Sequence, residues 1–148
     1  MTAKEYLMKL KVLDVKINQK LKEISALRAS LTSIPAVNTT EERVKGGNAA
    51  GDARFVRTLA KIDKMERKVD EEIDNFVDEK DKIINEIHEL TNPLHIEILH
   101  KKYVEFKRLE VVSVELDKSY QYIVEVHGYA LKEFEKKFAT LLKTYDET

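Results

Sequence analysis

Two long tracts of this chain place apolar residues three and four positions apart, and over such lengths that spacing belongs to helices. The first runs from Thr2 to about Leu31 through Leu10, Leu13, Ile17, Leu21, Ile24, Leu27 and Leu31. This stripe is close to the seam of a coiled coil, and at about 1.5 Å per residue it predicts a helix roughly 45 Å long. Thr2 can cap it through its hydroxyl, with the Glu of a capping box falling one residue later. The second stripe comprises Phe55, Leu59, Ile62, Val69, Ile73, Phe76, Ile83, Ile87 and Leu90, broken by Glu66 and Lys80. It predicts one helix of about 38 residues, roughly 57 Å long.

Between the stripes Pro35, Gly46, Gly47 and Gly51 remove helical preference, so residues 32–51 read as a long loop. Two stripes joined by a loop predict an antiparallel helical hairpin. Because each helix of a hairpin covers only one face of the other, a homodimer is expected to complete the burial. The composition agrees with an all-α chain: 36% charged and 43% apolar residues, with 4 Gly, 2 Pro and no Trp, as solvated helices require.

Asn92-Pro93 marks the next start, with Asn92 as cap and Pro93 at the first helical position. The division expected is therefore 1–92, a hairpin for dimerisation or docking, and 93–148, a bundle of shorter helices at Pro93–Val104, Leu109–Leu116 and Ser119 to about Lys143. Charge is unevenly spread. Residues 1–45 hold nine basic and five acidic side chains, residues 46–93 eight and twelve, and residues 94–148 nine and ten. The C-terminal third lacks the positive excess on which counterion-release binding to DNA depends.

Within that third, Lys102-Tyr103, the link Glu105 to Arg108, Val112-Ser113, Leu116, the turn Asp117-Lys118, Ser119, Ile123, His127 and Ala130-Leu131 are spaced as in the fourth region of the sigma-70 family, which this segment resembles. The resemblance implies a helix-turn-helix with an extended last helix. The whole chain is also similar to short phage and prophage proteins of Gram-positive bacteria that carry such a segment after a long helical half. Lys4-Glu5-Tyr6-Leu7, Leu27-Arg28, Glu42-Arg43-Val44 and Asn92-Pro93 carry that likeness, which implies a sigma-like regulator of late transcription.

Two positions depart from the sigma-like pattern. Ser113 stands where the pattern has a small Ala, and the reading face carries Gln121, Glu125 and Tyr129 in place of Arg. No Lys or Arg occurs from Tyr120 to Leu131. An Arg fork suits guanine O6 and N7, whereas phosphate repels a Glu. Ser119 at a helix start could still meet a phosphate, Gln121 could pair with an adenine edge, and Lys101, Lys102, Lys107, Arg108 and Lys118 could hold the backbone. The residues expected to contact DNA or a protein partner are Lys107, Arg108, Lys118, Ser119, Tyr120, Gln121, Tyr122, Glu125 and Tyr129.

Other chemistries find little support. The chain has no Cys, which removes disulfides and thiolate chemistry and suits a reducing cytoplasm. No apolar run suggests a leader or a membrane span, so a cytoplasmic protein of the host cell is expected. His88-Glu89 opens like a zinc-binding HExxH, but Asn92 occupies the second His position. His95 and His100 diverge on a helix and read as surface or interface residues. The acidic run from Asp70 to Asp81 scatters around a solvated face. No catalytic, cofactor or metal site is expected, and the protein is not expected to be an enzyme. Two readings follow: a transcription regulator binding promoter DNA or host RNA polymerase, and a protein-binding phage effector, inhibiting a host defence nuclease or a repressor, that keeps the fold without reading DNA.

Overall fold

The computed structural model describes residues 1–32 and 48–147, and all regular structure among them is helical. Helix α1 spans Ala3–Thr32 and α2 Asn48–His88; α3, Pro93–Leu99, passes into a π-helical turn at His100–Val104; α4 is Leu109–Glu115, α5 Tyr120–Lys137 and α6 Ala139–Asp146. The expected loop lies outside the described residues as far as position 47, as does Glu42-Arg43-Val44. Its last residues, 48–51, are helical instead. Ala49, Ala50 and Ala53 are the best helix formers, and they offset the cost of about 1 kcal/mol that Gly51 brings.

The helix ends follow from local chemistry. Because α1 begins at Ala3, Glu5 is its third residue and the capping box is complete, correcting the expected offset. Glu5 N–H donates to Thr2 Oγ1 at 3.2 Å and Thr2 N–H to Glu5 Oε2 at 3.1 Å, so two otherwise unmet donors are satisfied reciprocally. Asn92 Oδ1 accepts from Leu94 N–H at 3.0 Å, with Pro93 at the first position of α3. The expected single last helix is interrupted at Phe138, whose φ of −109° and ψ of 29° leave the helical region between α5 and α6. There the Phe138 ring lies 4.6 Å from that of Phe134.

The described chain forms two compact units, along lines other than the 1–92 and 93–148 division. One comprises Met1–Val15 with Val77–Thr148, the other Lys16–Phe76. A helix break at Pro93 does not separate domains here, because the first turns of α1 and the end of α2 share a core with the C-terminal helices. In that first unit Tyr6, Leu7 and Leu10 pack with Ile83, Ile87, Leu99, Tyr103, Ala130, Phe134 and Leu142. Each large apolar side chain so buried contributes about 1.5–3 kcal/mol before entropy is counted. A second cluster, Ile98, Val112, Ile123 and Val126, fastens α3 and α4 to α5.

The Lys16–Phe76 unit is thinner. Ile62 and Val69 are buried, whereas Leu21 and Leu59 of the apolar stripes remain about half exposed. Lys20 meets Glu72 at 3.6 Å and Arg28 pairs with Glu66. Partner numbers fall as α1 advances, so the two helices run antiparallel in this unit. Arg28 also accounts for Glu66, the charge that interrupts the second stripe.

Tyr6 occupies the centre of the first unit, and its hydroxyl donates to Glu86 Oε1 at 2.6 Å. Burial first, and the Glu86 carboxylate second, push the phenol far above its ordinary pKa, so it stays a donor. Glu86 is only 7% exposed, and its Oε2 meets no hydrogen-bond partner among the described residues. Removing the hydroxyl strands a buried carboxylate. Tyr6→Phe is therefore expected to cost about 1–3 kcal/mol in urea unfolding. Adding Glu86→Leu should restore much of that loss; no recovery in the double variant would show that the cost arises elsewhere.

Candidate functional site

Residues 100–129 are built around backbone irregularities that set which side chains face out. In the π turn Glu105 N–H reaches back to His100 O at 3.1 Å, and Lys107 N–H to Lys101 O at 3.0 Å. Phe106 follows with φ of 58°, a left-handed conformation that is costly for a bulky residue.

Helix α4 ends in a Schellman motif. Lys118 N–H donates to Ser113 O at 2.9 Å and Asp117 N–H to Val114 O at 3.2 Å, while Asp117 takes φ of 54°. Gly is the usual residue at that place, and Asp is among the few others that tolerate it. Ser119 then caps α5, its Oγ accepting from Tyr122 N–H at 3.2 Å. Ser113, buried between helices, donates its hydroxyl to Glu110 O at 2.6 Å and so carries no unmet polar group. Helix, turn and helix are thus satisfied locally.

Helix α5 separates packing from display. Ile123, Val126, Ala130 and Phe134 are buried. Tyr120, Tyr122 and Tyr129 are 49%, 43% and 51% exposed, and Gln121 and Glu125 lie exposed among them. Tyr122, Glu125 and Tyr129 fall three and four apart on one stripe, where Tyr129 donates its hydroxyl to Glu125 Oε1 at 3.3 Å. Lys132 lies 5.8 Å from the Tyr129 ring centre, within cation–π range. On α4, Val114 is 79% exposed.

The basic residues expected beside this face divide into two groups. Glu115 accepts from Lys107 Nζ at 2.6 Å and from Lys101 Nζ at 3.3 Å, and Glu105 lies 3.7 Å from the same Lys107. The hydrogen bond from Lys107 holds the Glu115 carboxyl below its usual range, and the same bond raises Lys107. Glu115 and Glu105 together therefore balance the charge of two of the candidate phosphate contacts. Arg108 and Lys118 are exposed, at the start of α4 and in the turn. From Leu109 to Tyr129 the chain has the carboxylates Glu110, Glu115, Asp117 and Glu125 against the single cation Lys118. The surface is acidic and aromatic.

The histidines are placed by tertiary contacts. His95 lies 2.8 Å from Glu133 Oε2, and Thr91 N–H donates to Glu133 Oε1 at 3.1 Å. Burial alone would raise the Glu133 carboxyl, but these bonds and that from Asn92 hold it below the usual range. His88, at the end of α2, and His100, at the start of the π turn, approach one another. Neither pairing has a sequence-local signal, since the partners stand 12 or more residues apart. The Tyr103 hydroxyl lies 2.9 Å from His127 Nε2, joining two positions of the sigma-like pattern. Burial pushes Tyr103 up to about 12. It pushes His127 down to about 4, helped by the charges of Lys102 and Lys4.

No family model matches the chain, and no curated protein or solved structure does. Among the described residues no helix is long and apolar enough to cross a membrane.

His127 makes stability depend on pH. Its folded value lies below that of a free imidazole, so as pH falls the unfolded chain takes up the proton first. The stabilisation is whole above about pH 7 and is lost progressively toward about pH 4. His127→Gln, which can still accept from Tyr103, should flatten this dependence in chemical unfolding across that interval. In the turn, Asp117→Gly should stabilise by up to about 1–2 kcal/mol, since Gly occupies the left-handed region without the Cβ penalty. Asp117→Ile should do the reverse in the same assay.

Proposed function

We propose that this chain is a non-catalytic, protein-binding effector of phage origin, whose surface on α4 and α5 docks on a host protein that itself binds nucleic acid. A defence nuclease or a repressor has the required chemistry: a basic surface complementary to Glu110, Asp117 and Glu125. The phage origin rests on the sequence resemblance. The observation that carries the binding mode is Glu115, which occupies the amines of both Lys101 and Lys107 beside a helix face that has no cation before Lys132. Duplex affinity depends on cations available to displace counterions, and here two of the nearest are balanced by Glu115 and by Glu105, which lies beside Lys107.

The exposed tyrosines supply what the missing arginines would not. Tyr and Trp dominate the energetics of protein interfaces because they bury a large area at a small cost in rotamer entropy. Tyr122 and Tyr129 sit on one stripe with Glu125 between them. Acidic groups at the rim of such a patch steer a basic partner into register and speed its association.

A second reading, regulation of transcription at promoter DNA or on host RNA polymerase, is favoured by the Ser119 cap and by the exposed Arg108 and Lys118 flanking the turn. The readings separate on salt and on nuclease treatment. The protein is expected not to retard duplex DNA at low salt, whereas Glu115→Gln combined with Glu125→Arg should bind it, with affinity falling steeply as salt rises. A partner captured from host lysate should remain after the nucleic acid is digested, and Tyr122→Ala with Tyr129→Ala should weaken its binding by about 30-fold or more, as two hot-spot residues imply. Salt-dependent duplex binding by the unaltered protein would overturn the proposal.

A further inference from the structure

We propose that His88 and His100 form a two-histidine site for a divalent transition-metal ion. His88 Nε2 and His100 Nδ1 stand 3.4 Å apart. Hydrogen bonds donated by N–H groups concentrate at about 2.9–3.0 Å and extend to about 3.2 Å, so this separation is long for one imidazole donating to another. It matches a different geometry. Two nitrogens bound at about 2.0–2.1 Å to one tetrahedral zinc lie roughly 3.3–3.4 Å apart. The two rings already present their nitrogens at the spacing of one edge of a coordination tetrahedron.

The surroundings suit a cation. His88 is the exposed last residue of α2, and His100 is the half-buried first residue of the π-helical turn. They line an open cavity of about 390 Å³ whose wall also includes Glu97 and Glu105. Lys101, the other charged residue of that wall, has its ammonium drawn to Glu115 at 3.3 Å. π-Helical turns are rare, and they recur where a side chain must be aimed for function.

Among the described residues no three His, Asp or Glu side chains already converge on one point. The protein thus supplies two nitrogens, with water completing the shell. Imidazole ligands select Zn²⁺, Ni²⁺ and Cu²⁺, while Mg²⁺ and Ca²⁺ require oxygen ligands. A bound ion would clip the end of α2 to the π turn and stabilise the folded chain, since binding to the folded state alone raises its stability.

The test is calorimetric titration of the metal-free, full-length protein with ZnCl2, NiCl2 or CuCl2, with thermal unfolding followed in parallel. One ion per chain should bind, Cu²⁺ more tightly than Ni²⁺ or Zn²⁺ as the usual affinity order requires, and the melting temperature should climb with metal concentration. MgCl2 should do neither. His88→Ala, at an exposed position, should abolish both responses while leaving the metal-free melting temperature unchanged; His100→Ala should also abolish them. His95→Ala, which removes the histidine paired with Glu133, should bind as before. The proposal is overturned if the unaltered protein binds no metal at submillimolar concentration, or if His88→Ala binds as tightly as it does.

Discussion

The buried side chain of Tyr6 joins parts of the chain that lie far apart in sequence, and the first compact unit depends on it. Its ring lies 5.8 Å from that of Phe134 and 5.4 Å from that of Tyr145, while its hydroxyl bonds Glu86. One residue near the start of α1 thereby fixes the end of α2, the last turn of α5 and the end of α6. The ring is worth burying only if the hydroxyl finds an acceptor, and Glu86 can be buried only if it finds a donor. Each group makes the other tolerable. This explains how a carboxylate stands inside the core near Ile83 and Ile87.

With that core in place, α5 is held from both sides along its buried face, Ile123 and Val126 by one cluster and Ala130 and Phe134 by the other. Its outward residues are then free of packing duty. Tyr122, Glu125 and Tyr129 are not needed to hold the helix down, so their exposure calls for another account. Exposed aromatic side chains in one stripe are costly to leave in water, and they become useful when a partner covers them.

Much of this was legible in the sequence because it is local. The apolar stripes gave α1 and α2, Asn92-Pro93 the start of α3, and Ser119 the start of α5, each through a period or a cap that a few neighbouring residues complete. What depends on meeting a distant residue was not. Nothing near Lys107 tells that Glu115, at the far end of α4, will take it and Lys101. The interruption at Phe138 was hidden too, because the apolar positions after it, Leu141, Leu142 and Tyr145, still keep a helical period.

The two left-handed residues, Phe106 and Asp117, show how local cost and distant gain combine. Both end a helical segment, at positions where Gly would fit at little cost. At Asp117 the turn returns α5 across α4 so that Ile123 meets Val112; at Phe106 the chain leaves the π turn so that Lys107 can reach Glu115. A side chain in that region costs about 1–2 kcal/mol, comparable to what one buried aliphatic side chain contributes. The core can therefore sustain both turns. The turn at Phe106 also sets where Lys107 meets Glu115, so that ion pair is a consequence of how this unit folds.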